Sequence, residues 1–130
     1  MGQPAAKKGD IIAAIDAHIV LIPSPGGPVA TPLPHPFNGV LQEALSENVY
    51  VMGMPAATVG SVAKNTPPHI PQGGPFQKQP SDRGTIDRGS ETVRINGKPV
   101  ARSGDPAMTC NDPEDAVNGI VISSGKVLVG

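Results

Sequence analysis

An all-β domain of short antiparallel strands is the fold class this sequence predicts, and three observations lead to it. Sixteen glycines and sixteen prolines among 130 residues leave few uninterrupted stretches in which a helix could propagate. The apolar share of 38% is carried largely by Val, Ile and Ala in short alternating runs, the pattern of half-buried strands. Large aromatic side chains are scarce, with only Tyr50, Phe37 and Phe76, so a metal or a partner must supplement a thin core. The length fits one domain spanning residues 1–130.

Charge and composition exclude several functions. A net charge of −1 without a long basic run argues against nucleic acid, because phosphate binding needs concentrated positive surface. The apolar run Ile11–Ile15 is short and flanked by Asp10 and Asp16, which fits neither a signal peptide nor a membrane span. Cys110 is the single cysteine, so no disulfide closes within the chain.

The organising feature is an internal repeat. Residues 49–61 (VYVMGMPAATVGS) lie over residues 93–105 (VRINGKPVARSGD) with a constant offset of 44, and Ser46-Glu47 extends the match to Ser90-Glu91. Each copy reads as a hairpin: an outgoing strand, a turn at Gly53 or Gly97, a return strand beginning at Pro55 or Pro99, and a closing Gly60 or Gly104. A third copy is cut by the chain ends. Residues 2–10 (GQPAAKKGD) supply its return half, with Gly2 as the turn, Pro4 as the start and Gly9 as the close, and residues 124–130 (SGKVLVG) supply its outgoing half. The repeat cores are therefore 45–61, 89–105, and 123–130 joined to 1–10. The termini are expected side by side, and the domain is expected to be pseudo-threefold. Within the strands, Val49/Val51, Val93/Ile95 and Val127/Val129 are expected to face inward, and Ala6, Ala57 and Ala101 to permit close approach at the axis.

The segments after the closing glycines carry the candidate chemistry. His18 and His69 each follow their closing glycine by nine residues, and Cys110 follows Gly104 by six. His35 lies in Pro34-His35-Pro36, outside the repeat register. Three imidazoles and one thiolate suit a closed tetrahedral zinc site with no position left for substrate. Prolines at 32, 34 and 36, and at 67, 68 and 71, are expected to stiffen extended loops around His35 and His69. The plainer alternative is three surface histidines and a small buried cysteine. Asp82, Asp87, Glu91, Asp112, Glu114 and Asp115 read as solvated turn residues, and the acids from Asp112 to Asp115 lack the glycine and distal glutamate of a calcium loop. No nucleophile and base stand in a recognisable catalytic motif, so an enzyme is not expected.

Pro4-Ala5-Ala6-Lys7, Pro55-Ala56-Ala57-Thr58 and Pro99-Val100-Ala101-Arg102, the first and third followed by Gly-Asp at 9–10 and 104–105, resemble the proline-alanine-alanine-arginine motif of the PAAR-repeat proteins across essentially the whole chain. The resemblance implies a small cone of antiparallel hairpins whose base sits on a trimeric VgrG-type β-helical spike, one monomer per trimer, in a type VI secretion apparatus, an extracellular injection particle or a phage tail. It further implies one zinc ion near the point, held by His18, His35, His69 and Cys110, and a transient contact with the target membrane. Assembly in the bacterial cytoplasm and export on the spike follow from the same resemblance. None of the three motifs is complete: Lys7 and Thr58 replace the arginine, Val100 replaces an alanine, and Ser61 stands where the other copies have Asp10 and Asp105. Two alternatives belong to other classes. One is an effector adaptor that holds cargo in loops at Gly26-Gly27 and Gly73-Gly74; the other is a zinc hydrolase in which water replaces His35.

Overall fold

The computed structural model describes residues 2–130, and every regular element among them is a strand. In chain order these are β1 (Gln3–Pro4), β2 (Ile11–Ile22), β3 (Val29–Glu43), β4 (Tyr50–Val51), β5 (Met54–Pro55), β6 (Val62–Asn65), β7 (Arg83–Ile86), β8 (Arg94–Ile95), β9 (Lys98–Pro99), β10 (Pro106–Thr109), β11 (Ala116–Ile122) and β12 (Leu128–Val129). No helix among the described residues is long and apolar enough to cross a membrane.

Three small hairpins match the repeat. β4–β5 turns at Met52-Gly53, with φ of 50° and 83°, and β8–β9 turns at Asn96-Gly97, with φ of 54° and 81°. Two successive positive φ values define the two-residue turn whose twist suits a hairpin. The chain ends build the third hairpin with its turn open, Gln3 opposite Val129 and Pro4 opposite Leu128. Three details differ from the sequence expectation. The return strands end on Pro55 and Pro99 instead of beginning there: past them Ala56 and Val100 still donate to the Val49 and Val93 carbonyls, but the N–H groups of Val49 and Val93 turn to the Ser46 and Ser90 hydroxyls. Gly2 makes no turn: a Cβ on it would meet the backbone nitrogen of Val129 at 2.9 Å, so its role is a close pass over β12. Val51 and Val129 are buried, but Val49, Val93 and Val127 are 36%, 39% and 41% exposed. Those three precede the paired residues, and the Ser46 and Ser90 hydroxyls accept the N–H groups of Val49 and Val93 in a local bend, which breaks the alternation.

The three motifs meet in a closed cycle. The Ala6 N–H donates to the Ala101 carbonyl (2.9 Å), Ala101 to Ala57 (3.0 Å) and Ala57 back to Ala6 (2.9 Å). A second cycle runs from Lys8 to Pro55, Val59 to Pro99 and Ser103 to Pro4. Only a threefold arrangement of equivalent segments returns to its start in this way. The alanines of the first ring are fully buried, which keeps the backbones close enough to bond.

Beyond the ring, each closing glycine, with φ of 91° to 93°, leads into a strand of a closed six-stranded barrel, ordered β10-β11-β2-β3-β6-β7. The barrel is three hairpins placed side by side. Its first interior layer is Ile12, Ala63 and Ala107 from the outgoing strands with Leu41, Ile86 and Val121 from the returning ones, all buried. Two residues before each of the last three lies a glycine: Gly39, Gly84 and Gly119. A Cβ on Gly39 would stand 2.6 Å from the Phe37 ring, and one on Gly84 would stand 3.1 Å from it. Phe37, the largest fully buried side chain, thus fills space that these glycines leave empty.

The stretch expected as a proline-stiffened loop before His35 is instead part of β3. It pairs with β2 through twelve residue pairs, from Ile11↔Val40 to Ile22↔Val29. Pro32, Pro34 and Pro36 point outward, while His35 and Phe37 point inward and are buried. Beyond Gly39 toward the hairpin tip, the other edge of β3 pairs with no strand, so the missing N–H groups cost nothing there.

Candidate metal centre

Past the Phe37 layer the barrel interior turns polar. β2 places Asp16 and His18 on its inner face, β3 places His35, the loop after β6 places His69, and Cys110 follows β10. All five are buried: Asp16 at 0% exposure, His18 at 1%, His35 and Cys110 at 2%, and His69 at 8%. Donor atoms of Asp16, His18, His69 and Cys110 lie within 4.8 Å of one another. The Cys110 sulfur is 3.6 Å from His18 Nε2, the spacing of about 3.6 Å that tetrahedral zinc imposes on a sulfur and a nitrogen donor.

His35 brings its ring within 5.6 Å of His18 and 5.5 Å of His69, centre to centre, without joining that closest group. Its Nδ1 lies 2.9 Å from the Leu33 carbonyl, which can only accept, so Nδ1 carries the hydrogen. Nε2 of the neutral ring is then a buried lone pair without a partner. Such an atom is costly unless something electropositive meets it. Of the sequence-derived set, His18, His69 and Cys110 come together with Asp16 while His35 stands beside them outside that group, and the donor chemistry fits a borderline-soft dication.

The remaining edges of the cluster are held by loops. β2 pairs with β11 only from Ile11 to Ala13, so its later N–H groups need other acceptors. The Asn111 side chain takes the N–H of Ala17 at 2.7 Å, and the Asp112 carboxylate takes that of Ile19 at 2.8 Å. Asp112 Oδ2 also lies 3.7 Å from His18 Nδ1, an orientation that leaves Nε2 facing Cys110. Asp82 Oδ1 accepts the His69 backbone N–H at 2.8 Å, and Asn65 Nδ2 lies 3.2 Å from His69 Nδ1. Asp82 and Asp112 are therefore positioning groups for the two histidines, not the solvated turn residues their sequence context suggested. Asp16 went unremarked as a donor because it reads as one acid on an apolar strand. Its parity with His18, two residues on, was the available signal.

Burial dominates the electrostatics of the cluster. Burial pushes the Cys110 thiol up to about 12, and the neighbouring Asp16 charge adds to the effect. Burial lowers the His18 pKa, and repulsion from His69 and His35 lowers it further, against the opposing pull of Asp112 and Asp16. The metal-free pocket thus favours a protonated thiol and a neutral imidazole, the forms from which a dication displaces a proton or accepts a lone pair. The Phe76 ring lies 5.9 Å from His18 and 5.3 Å from His35, closing the outer side. The segment carrying it bonds to β2 through Leu21 N–H to Pro75 and Gln77 N–H to Ile19. Gly74 packs so tightly there that a Cβ would lie 1.9 Å from the Leu21 carbonyl oxygen, so the Gly73-Gly74 turn forms a seam against β2.

A threefold set of hairpins around a ring of alanines, continued by a barrel with a buried oxygen, nitrogen and sulfur cluster that could hold a metal ion, defines a small β-domain built from an internal repeat. Residues 76–130 match the family model described as PAAR motif, a stretch that contains the repeat core 89–105 and Cys110. That match supports the likeness to PAAR-repeat proteins that the three motifs carry. No curated protein matches it significantly.

Proposed function

We propose that this protein is the tip of a contractile injection device, seated on a trimeric VgrG-like spike as one monomer per trimer and stapled at its far end by one zinc ion. The observation that carries this reading is the cyclic hydrogen bonding of Ala6, Ala57 and Ala101, which gives a single chain three equivalent hairpins at one end. A monomer with three equivalent hairpins can address the three strands of a trimer at once. The same hairpins carry exposed apolar side chains, including Val49, Tyr50, Met52, Val93, Val127 and Leu128, as a docking face would.

His18, His35, His69 and Cys110 would hold the ion, which supplies cross-linking energy where the barrel interior turns polar. Burial of every donor favours a closed structural centre over a hydrolytic one, which needs an open position for water. The proposed life history is assembly in the bacterial cytoplasm, export on the spike and brief contact with the target envelope. Native mass spectrometry of the protein mixed with its cognate spike tests the proposal. One copy per trimer is the expected result, and three copies per trimer would overturn it.

A further inference from the structure

Asp16 is the group in this cluster that the repeat and the three-histidine, one-cysteine set leave unexplained. It is a carboxylate at 0% exposure, and such a group is tolerated only with full compensation. Its Oδ1 accepts the Thr109 hydroxyl. Its Oδ2 accepts from His69 Nε2 at 2.9 Å and faces the Cys110 sulfur at 3.4 Å. The Asn65 amide, whose oxygen is already taken by the Asn38 N–H at 2.8 Å, presents its NH2 to His69 Nδ1. That fixes the His69 hydrogen on Nε2, pointing at Asp16.

Both donors to Oδ2 are therefore atoms that a metal ion would bind. When a dication takes His69 Nε2 and Cys110 Sγ, the thiol proton passes to solvent and the imidazole exchanges its Nε2 hydrogen for one at Nδ1, the Asn65 amide turning its oxygen to meet it, so that the ring stays neutral and Oδ2 keeps no hydrogen bond. From this we propose that Asp16 Oδ2 itself ligates the ion, so that the centre has a carboxylate oxygen in addition to its nitrogen and sulfur donors. Its 3.4 Å separation from Cys110 Sγ is close to the spacing of an oxygen and a sulfur that share one ion, and the 4.0 Å to His18 Nε2 has to close by about half an ångström on loading. Charge balance points the same way. One carboxylate and one thiolate neutralise a dication, whereas a thiolate alone leaves a net positive charge in a buried site. In the metal-free chain, Asp16 gathers the hydrogens of the ligands, and on loading it exchanges them for the ion.

The inference rests on the metal reading above, so the test separates the two. Metal-free full-length protein carrying carboxyl-labelled aspartate is titrated with zinc and followed by infrared difference spectroscopy. In parallel, cobalt(II) is added and the thiolate-to-cobalt absorption is recorded. The expected results are a thiolate charge-transfer band, one shifted aspartate carboxylate stretch on zinc addition, loss of that shift in Asp16→Asn, and a drop of tenfold or more in zinc affinity for that variant. If Asp16→Asn does not fold, the wild-type carboxylate shift decides alone. A charge-transfer band without any carboxylate shift overturns the role of Asp16 and leaves the metal centre standing. Absence of the charge-transfer band and of zinc retention in the wild type overturns both.

Discussion

Restoring the family motif at the second repeat gives a sharp test of how the three closing turns are built. In the copies that contain residues 1–10 and 89–105, Asp10 and Asp105 accept the N–H groups of Lys7 and Arg102 (3.0 Å and 2.7 Å) and also pair with their charged side chains (3.2 Å and 2.8 Å). In the second copy, the Ser61 hydroxyl accepts the Thr58 N–H at 3.0 Å and donates to the Ala44 carbonyl at 2.8 Å. Both charges are absent together, and both residues are buried, Thr58 at 4% and Ser61 at 0% exposure. Ser61→Asp alone puts an unpaired carboxylate against the Ala44 oxygen and removes that oxygen's donor, at a cost of about 3–5 kcal/mol. Thr58→Arg alone can run its side chain along the groove of about 400 Å³ lined by Ala44, Leu45, Ser46 and Asn48, for about 1 kcal/mol or less. The double variant regains about 1–3 kcal/mol of coupling as the pair forms, yet stays below wild type because the Ala44 oxygen remains without a donor. Urea midpoints of the four proteins close this cycle. Additivity within about 0.5 kcal/mol, or a Ser61→Asp protein as stable as wild type, would refute the reasoning.

The other predictions concern the core, a turn and pH. Phe37→Ala is expected to lower unfolding free energy by about 3–5 kcal/mol. Gly39→Ala, whose new methyl would stand 2.6 Å from the Phe37 ring, is expected to be damaging alone and much milder in the Phe37→Ala background; thermal melts of the single and double variants read this. Met52 sits at a φ of 50° where the equivalent Asn96 sits at 54°, and asparagine tolerates that region better than methionine. Met52→Asn is therefore expected to stabilise by about 0.5–1 kcal/mol in the same melts, and an unchanged or lower midpoint would contradict it. In the metal-free protein the His18 pKa lies below its ordinary 6.5, so the unfolded chain binds the extra proton first and stability falls as pH drops below that value. Urea midpoints measured between pH 8 and 5 should decline at up to about 1.4 kcal/mol per pH unit from this group, and a rise toward acid would contradict the sign.

Much of this fold was legible because the repeat is written in residues with stiff backbone preferences. Gly53, Gly97 and Asn96 announce their turns, and the prolines mark where hairpin ladders stop. The barrel was not legible, because the three long connections differ in length and the equivalence of Gly39, Gly84 and Gly119 falls outside the constant offset. Alternating Pro32, Pro34 and Pro36 read as a loop because a proline-rich strand is stable only where its outer edge needs no donor, and that depends on neighbours far along the chain. The candidate donors His18, His69 and Cys110 stood out through their register with the closing glycines, which reports position along a strand, whereas His35 lies outside that register. Asp16, Asp82 and Asp112 act through the directions their side chains take in three dimensions, and an acid in a turn or on a strand carries no local sign of that.

The claim that an ion replaces the missing core at the far end of the barrel is tested most directly by stripping the metal. The protein purified without added metal should carry about one zinc per chain. Its melting temperature should fall on exhaustive chelation, recover on zinc addition, and be insensitive to chelator in Cys110→Ser. A wild-type protein that is metal-free as purified, with a melting temperature that neither chelator nor zinc alters, would contradict it.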